Sequence, residues 1–275
     1  MKSASFGYAR PVALEEASRI LRETADAKIF AGGQSLGPML NLRLVRPDVI
    51  VDVTAIPELV HVEETEDQVF IGACVTHANI EDRYVPDPSR QMMPTLAKGI
   101  AYRAVRNRGT VGGSLCHADP AADWVSILSA LSAQAVIYGA GQRRRVPVER
   151  FVTGPFEAAL ASDEILEGVS IPKLSARARW GYYKFCRKTG EFADAIGAVV
   201  CDPDRDLCRV VIGATGSSPF VVENALHFFR DDTLTEVNSD AVLTFLDSLG
   251  LHDAFERQLH LVAVERAASR AAATA

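Results

Sequence analysis

Apolar residues recur at roughly helical spacing over 12–24, where Val12, Ala13, Ala17, Ile20 and Leu21 punctuate VALEEASRILRET. That periodicity predicts an amphipathic helix after Pro11. The short apolar run KIFA (28–31) predicts a strand that leads straight into Gly32 and Gly33. SLGPMLNLRLV (35–45) then predicts a short helix or coil stopped by Pro47, and the β-branched VIVDV (49–53) a further strand. LVHVEE (59–64) and QVFIGA (68–73) predict a hairpin, and THANIEDRYV (76–85) a helix. Another helix is expected after VPDPSRQMMP (85–94), running to about residue 106. RNRGTVGGSLCHADPAADW (106–124), with three glycines and a proline, predicts a loop. VSILSALSA (125–133) predicts a helix and AVIYG (135–139) a strand, with Arg143-Arg144-Arg145 in a surface turn.

The pattern changes again toward the end of the chain. EILEGVSIP (164–172), WGYYKFCR (180–187), AIGAVVC (195–201) and CRVVIGAT (208–215) predict strands, the last two divided by the turn DPDRD. Three helices are expected near 222–229, 237–248 and 253–272. Mixed elements followed by a strand-rich and helix-rich section predict an α+β protein with a boundary near 172–180, around PKLSARA.

Composition narrows the class. At 275 residues, 48% hydrophobic and 23% charged, the chain suits a soluble globular protein with a sizeable core. A net charge of −6 argues against a general nucleic-acid binder, which needs a basic face for phosphates. No run reaches the roughly 20 apolar residues of a membrane span. MKSASFGYARP lacks the apolar core of a secretory signal. The five cysteines (Cys74, Cys116, Cys186, Cys201, Cys208) form no C-x-x-C pair. They predict buried or free thiols in a reducing cytoplasm, and any iron–sulfur cluster must come from another chain.

Two segments carry the chemistry. In A-G-G-Q-S-L (31–36) the paired glycines can adopt positive φ, and successive amide N–H groups can form a concave nest for a phosphate or diphosphate. The plain alternative is a strand-ending turn. The Rossmann G-x-G-x-x-G and the Walker G-K-[ST] are both missing. T-V-G-G-S-L (110–115) repeats the same chemical type, and two such loops facing each other suit the diphosphate of a dinucleotide. Downstream, Asp119 and Asp123 offer carboxylates, Asp119 more naturally as a helix N-cap before Pro120. The cluster Arg103, Arg106, Arg108 is as consistent with a solvated helix face as with a role near phosphate or an acidic partner. His117 suits a loop hydrogen bond rather than a metal, and no nucleophile has a base beside it.

IFAGGQSLGPMLNLRLVRPDVIVDV (29–53) together with RNRGTVGGSLCHADPAADW resembles the medium, FAD-binding subunit of the carbon monoxide dehydrogenases, itself similar to the flavin domain of xanthine dehydrogenase. EILEGVSIP and YYKFCRKTGEFADAIGAVV (182–200) extend the likeness over nearly the whole chain. The resemblance implies an FAD-binding domain of the vanillyl-alcohol oxidase (PCMH) type over 1–175, with subdomains of about 1–56 and 57–175, and a smaller α+β domain of the carbon monoxide dehydrogenase flavoprotein type over 176–275. It implies FAD contacts at Ala31, Gly32, Gly33, Gln34, Ser35 and Leu36, and at Gly109, Thr110, Gly112, Gly113 and Ser114. Ile100 and Ala101 are implied against the flavin ring, with Asp123, Leu166 and Lys184 as further contacts. The plain alternatives make Leu166 a core residue and Lys184 an edge charge, and they leave Tyr182 and Tyr183 as packing.

The implied function is electron transfer within a molybdenum hydroxylase. A small subunit carries [2Fe-2S] clusters, a large subunit carries the molybdenum cofactor and binds the substrate, and the assembly is a dimer of heterotrimers. The competing expectations are a self-contained flavin oxidoreductase, with Cys116 and His117 the residues placed for a covalent flavin link, and a non-enzymatic nucleotide-binding module.

Overall fold

The computed structural model describes residues 2–231 and 233–273. The first section comprises β1 (Gly7–Ala9), α1 (Leu14–Glu23), β2 (Ala27–Phe30), α2 (Leu36–Asn41) and β3 (Val49–Asp52). Its three strands are parallel, in the order β1-β3-β2. On α1, Ala17 and Leu21 of the predicted stripe are buried together with Leu14, while Glu15, Glu16, Arg19 and Arg22 face water; Val12 and Ala13 precede the helix and are exposed. The helix starts two residues later than expected because Ala13 is extended.

The second section runs through α3 (Pro57–Val60), β4 (Val62–Glu64), β5 (Gln68–Gly72), α4 (His77–Glu81), α5 (Met92–Ala97), α6 (Arg103–Arg106), α7 (Val111–His117) and α8 (Asp123–Ala130). It continues with β6 (Gln134–Gly139), β7 (Gln142–Pro147), α9 (Val148–Phe151), β8 (Val152–Gly154), β9 (Glu157–Ala158) and β10 (Ile165–Pro172). Five strands form an antiparallel sheet in the order β4-β5-β10-β6-β7.

Three expectations are corrected here. The helix expected up to residue 106 is two short ones, α5 and α6, separated by a turn in which Ala101 has φ +45°. The glycine-rich segment is not all loop, because the Thr110 hydroxyl caps α7 by accepting from the Gly113 amide at 2.9 Å. Arg143 to Arg145 are not a turn but the edge strand β7. There Arg143 pairs with Glu167 at 2.6 Å and Arg144 with Glu164 at 2.6 Å, and charge along a sheet edge discourages further strand pairing.

The third section contains β11 (Arg179–Phe185), β12 (Ala195–Asp202), β13 (Leu207–Gly213), β14 (Phe220–Val222), α10 (Ser239–Ser248) and α11 (Ala254–Ala273). Its sheet is antiparallel, in the order β11-β12-β13-β14. All eight residues of β12 are buried because α8 covers one face and α11 the other. This explains an unbroken apolar run in an antiparallel strand. The helix expected near 222–229 is instead the end of β14 and a 3-10 turn at Ala225–Phe228. Cys201 and Cys208 are not free thiols: strand register sets them opposite each other, and they form a disulfide. Between sections, the buried Asp202 carboxylate accepts from the Ser175 amide at 2.8 Å and its hydroxyl at 2.6 Å. That pins the connecting segment to β12.

Candidate functional site

The loop after β2 turns sharply at Gly33, whose φ is +68° and where a Cβ would overlap the Phe30 ring. A Cβ on Gly32 would overlap the Arg108 carbonyl oxygen and stand 2.9 Å from the Gly109 Cα. The two glycine-rich segments therefore touch, backbone against backbone. The amides of Gly32, Gly33, Gln34 and Ser35 donate to no acceptor among the described residues, while the Gln34 side chain donates to the Gly32 carbonyl at 3.1 Å. Ala31 is half-buried beside them, and Leu36 opens α2.

The second segment is different. His77 donates its amide to Gly109, Val111 donates to Val75, Gly112 donates to Ala73 and Ser114 donates to the Thr110 carbonyl. Of its own amides, those of Val111 and Gly112 hold it against residues 73–77, while those of Gly113 and Ser114 turn back to Thr110. Its glycines serve close approach: a Cβ on Gly112 would overlap Ala73, and one on Gly109 would stand 2.9 Å from the His77 ring. The Ser114 hydroxyl is half-buried at the same end of α7. Chemically, the first loop offers a nest of free N–H donors, and the second forms the wall it rests on.

His77 is the support that sequence reasoning missed. Its Nδ1 accepts from the Trp124 indole at 3.0 Å, which leaves the remaining proton on Nε2. Burial, and then the Arg106 charge, lowers its pKa from 6.5 to about 4, so the ring is neutral.

Ile100 and Ala101 are held from two sides. The Arg106 guanidinium donates to both carbonyls at 3.0 Å and grips Glu81 through Nε at 2.7 Å and Nη2 at 3.1 Å. The Arg106 hydrogen bond, ahead of opposing burial, holds the Glu81 carboxyl below its usual range. Gly190, in the turn after β11, bridges Ile100 and packs on Ala101. Arg103 pairs with Glu81 at 2.8 Å and with Asp82. Arg103 and Arg106 are thus engaged with acids of this chain, while Arg108 is exposed.

Asp123 and Lys184, 61 residues apart, meet in a largely buried ion pair at 2.9 Å. The second Asp123 oxygen accepts from the Tyr182 hydroxyl at 2.6 Å. Leu166 is buried on β10 next to a register shift, and α7 packs on that strand. Asp119 accepts from the Ala121 amide at 2.9 Å, so it caps a turn, while Ala122 and not Asp119 precedes the first residue of α8. His117 lies against the Phe156 ring at 5.2 Å, and Cys116 is an exposed thiol on α7.

Among the described residues, no group of His, Cys, Asp and Glu could hold a metal, and no helix is long and apolar enough to cross a membrane. The arrangement is that of an α+β protein with a backbone turn of unpaired amides walled by a second glycine segment. The chain belongs to the family described as the FAD binding domain in molybdopterin dehydrogenase, whose model matches residues 4–174. It is 39% identical over 200 residues to the nicotine 6-hydroxylase medium subunit of Paenarthrobacter nicotinovorans, covering 73% of this chain and 70% of that one. It is 35% identical over 196 residues to the carbon monoxide dehydrogenase medium chain of Hydrogenophaga pseudoflava, covering 71% and 68%. A solved structure of the carbon monoxide dehydrogenase of Hydrogenophaga pseudoflava, lacking the Mo-pyranopterin moiety of the molybdenum cofactor, superposes with a TM-score of 0.88. That superposition has 30% identity and covers 100% of this chain and 99% of the other. The protein is accordingly an FAD-dependent oxidoreductase subunit of the molybdenum hydroxylase family.

Proposed function

We propose that this chain is the electron-transfer subunit of a heterotrimeric molybdenum hydroxylase, passing electrons from iron–sulfur clusters of a small subunit to an external acceptor. The observation that carries the reading is the contact between Gly32 and Arg108–Gly109, which sets four free amides against a second glycine-rich wall. That donor set fits a diphosphate: it is anion-seeking, free of side chains and open to close approach. In this reading Ala31 to Leu36 hold the diphosphate of FAD, with Gly109, Thr110, Gly112, Gly113 and Ser114 shaping the opposite side. Ile100 and Ala101 orient the ring system, while Asp123, Leu166 and Lys184 complete the pocket. When bound, FAD supplies the capacity to exchange electrons singly or in pairs.

The relatives named for nicotine and for carbon monoxide share this subunit type. That supports placing substrate oxidation on a separate molybdenum-bearing large subunit, with [2Fe-2S] clusters on a small one. The division into 1–56, 57–175 and 176–275, a dimer of heterotrimers and a cytoplasmic location complete the proposal. Purification of the tagged full chain from its own cells tests it. The chain should elute with two further polypeptides, molybdenum and iron, and elution alone and metal-free contradicts it.

A further inference from the structure

We propose that Tyr182 is a positioning residue of the flavin site, fixing the Asp123 carboxylate in a single orientation. The inference rests on the reading above that Asp123 and Lys184 face FAD. Tyr182 and Lys184 are two apart on β11, so they share one face of the strand. One donates to Oδ1 of Asp123 at 2.6 Å and the other to Oδ2 at 2.9 Å. Rotating the carboxylate breaks both bonds at once. Asp123 and Tyr182 are both buried, leaving no ready water to replace a lost hydroxyl. The strand is itself held, because Arg270 donates to the Tyr182 carbonyl at 2.7 Å.

The neighbouring Tyr183 shows what a packing tyrosine looks like on this strand. It points the other way, with the Arg266 and Arg270 guanidiniums each 4.8 Å from its ring and Arg266 also donating to its hydroxyl, so it stays within the third section. The Tyr182 hydroxyl instead reaches across to α8 and joins the third section of the chain to the flavin-binding section. Burial, followed by the Asp123 charge, raises its pKa well above the ordinary value, so it remains a donor at working pH.

Tyr182→Phe in the full chain removes one oxygen and no ring. FAD should bind about tenfold more weakly, as for loss of a hydrogen bond to a charged group. The midpoint potential and visible spectrum of the bound flavin should also shift. Added to Asp123→Asn, the same change should alter affinity by less than about threefold, because the two act as one unit. Wild-type affinity and potential in Tyr182→Phe overturn the inference, as does an undiminished loss in the Asp123→Asn background. If the unaltered chain binds no FAD, the functional reading itself fails, an outcome distinct from normal binding that is insensitive to Tyr182.

Discussion

The Gly32 Cα faces the Arg108 carbonyl oxygen so closely that no side chain fits between them. This one contact brings together loops that are about 75 residues apart in sequence. Gly32→Val must therefore push the second segment away, and the full chain should lose FAD. Gly37→Ala is the control, since a Cβ there meets nothing within 4 Å. Flavin content after gel filtration decides: equal retention in the two variants would show that the contact is irrelevant to binding.

Gly33 and Gly113 separate the two jobs of glycine. Gly33→Val forces a β-branched residue to φ +68°, distorts the free amides and should abolish FAD retention. A Cβ on Gly113 stands 2.8 Å from the Thr110 hydroxyl, so Gly113→Val chiefly disturbs the α7 cap, at about 1 kcal/mol. Thermal melts and flavin titration of both variants test this, and the reverse ranking for FAD would contradict it.

Asp123→Ala should weaken FAD far more than Asp119→Ala. The first leaves the largely buried Lys184 ammonium without its partner, whereas the second removes a single turn bond to Ala121. Equal dissociation constants would count against the distinction.

Arg106 carries structure rather than phosphate. Arg106→Met leaves Glu81 only the exposed Arg103 as partner and frees the Ile100 and Ala101 carbonyls, which should cost about 2–3 kcal/mol in urea unfolding. A loss under about 1 kcal/mol would show that the grip on the positive-φ turn is unimportant.

His77 makes stability depend on pH. Its pKa in the folded chain, about 4, lies below the unfolded value of 6.5. The unfolded chain therefore binds more protons in between, and the stability contributed is complete above pH 6.5 and lost as pH falls through about 4. Between pH 7 and pH 5 the wild type should lose about 2 kcal/mol that His77→Gln does not. Matching unfolding curves for both proteins over that interval would remove His77 as the cause.

The apolar strands β2, β3, β5, β6 and β10 to β13, the long terminal helices and both glycine segments are legible because their signals are local, whereas the charged edge strand β7 and the short β1, β8, β9 and β14 are not. Ala267 and Ala268 in α11, by contrast, are core residues whose helix shows little amphipathic contrast. The supports of the site were not legible, because they exist only through distant pairings. His77 finds Trp124 47 residues away, and Arg106 finds Glu81 25 residues back. Tyr182 looks like ordinary strand packing until its hydroxyl is placed on Asp123. Likewise Cys201 and Cys208 become partners only once β12 and β13 are in register. The helix α7 was hidden by its own glycines, whose low helix propensity is outweighed by the Thr110 cap and by packing on Ala73.

The nest at Gly32 to Ser35 is tested most directly by titrating the purified full chain with FAD and following flavin fluorescence together with amide exchange of residues 31–36. The account predicts saturable binding of a single FAD with slowed exchange at those amides. A folded chain that leaves FAD fluorescence unchanged, or binds it with those amides exchanging as before, contradicts it.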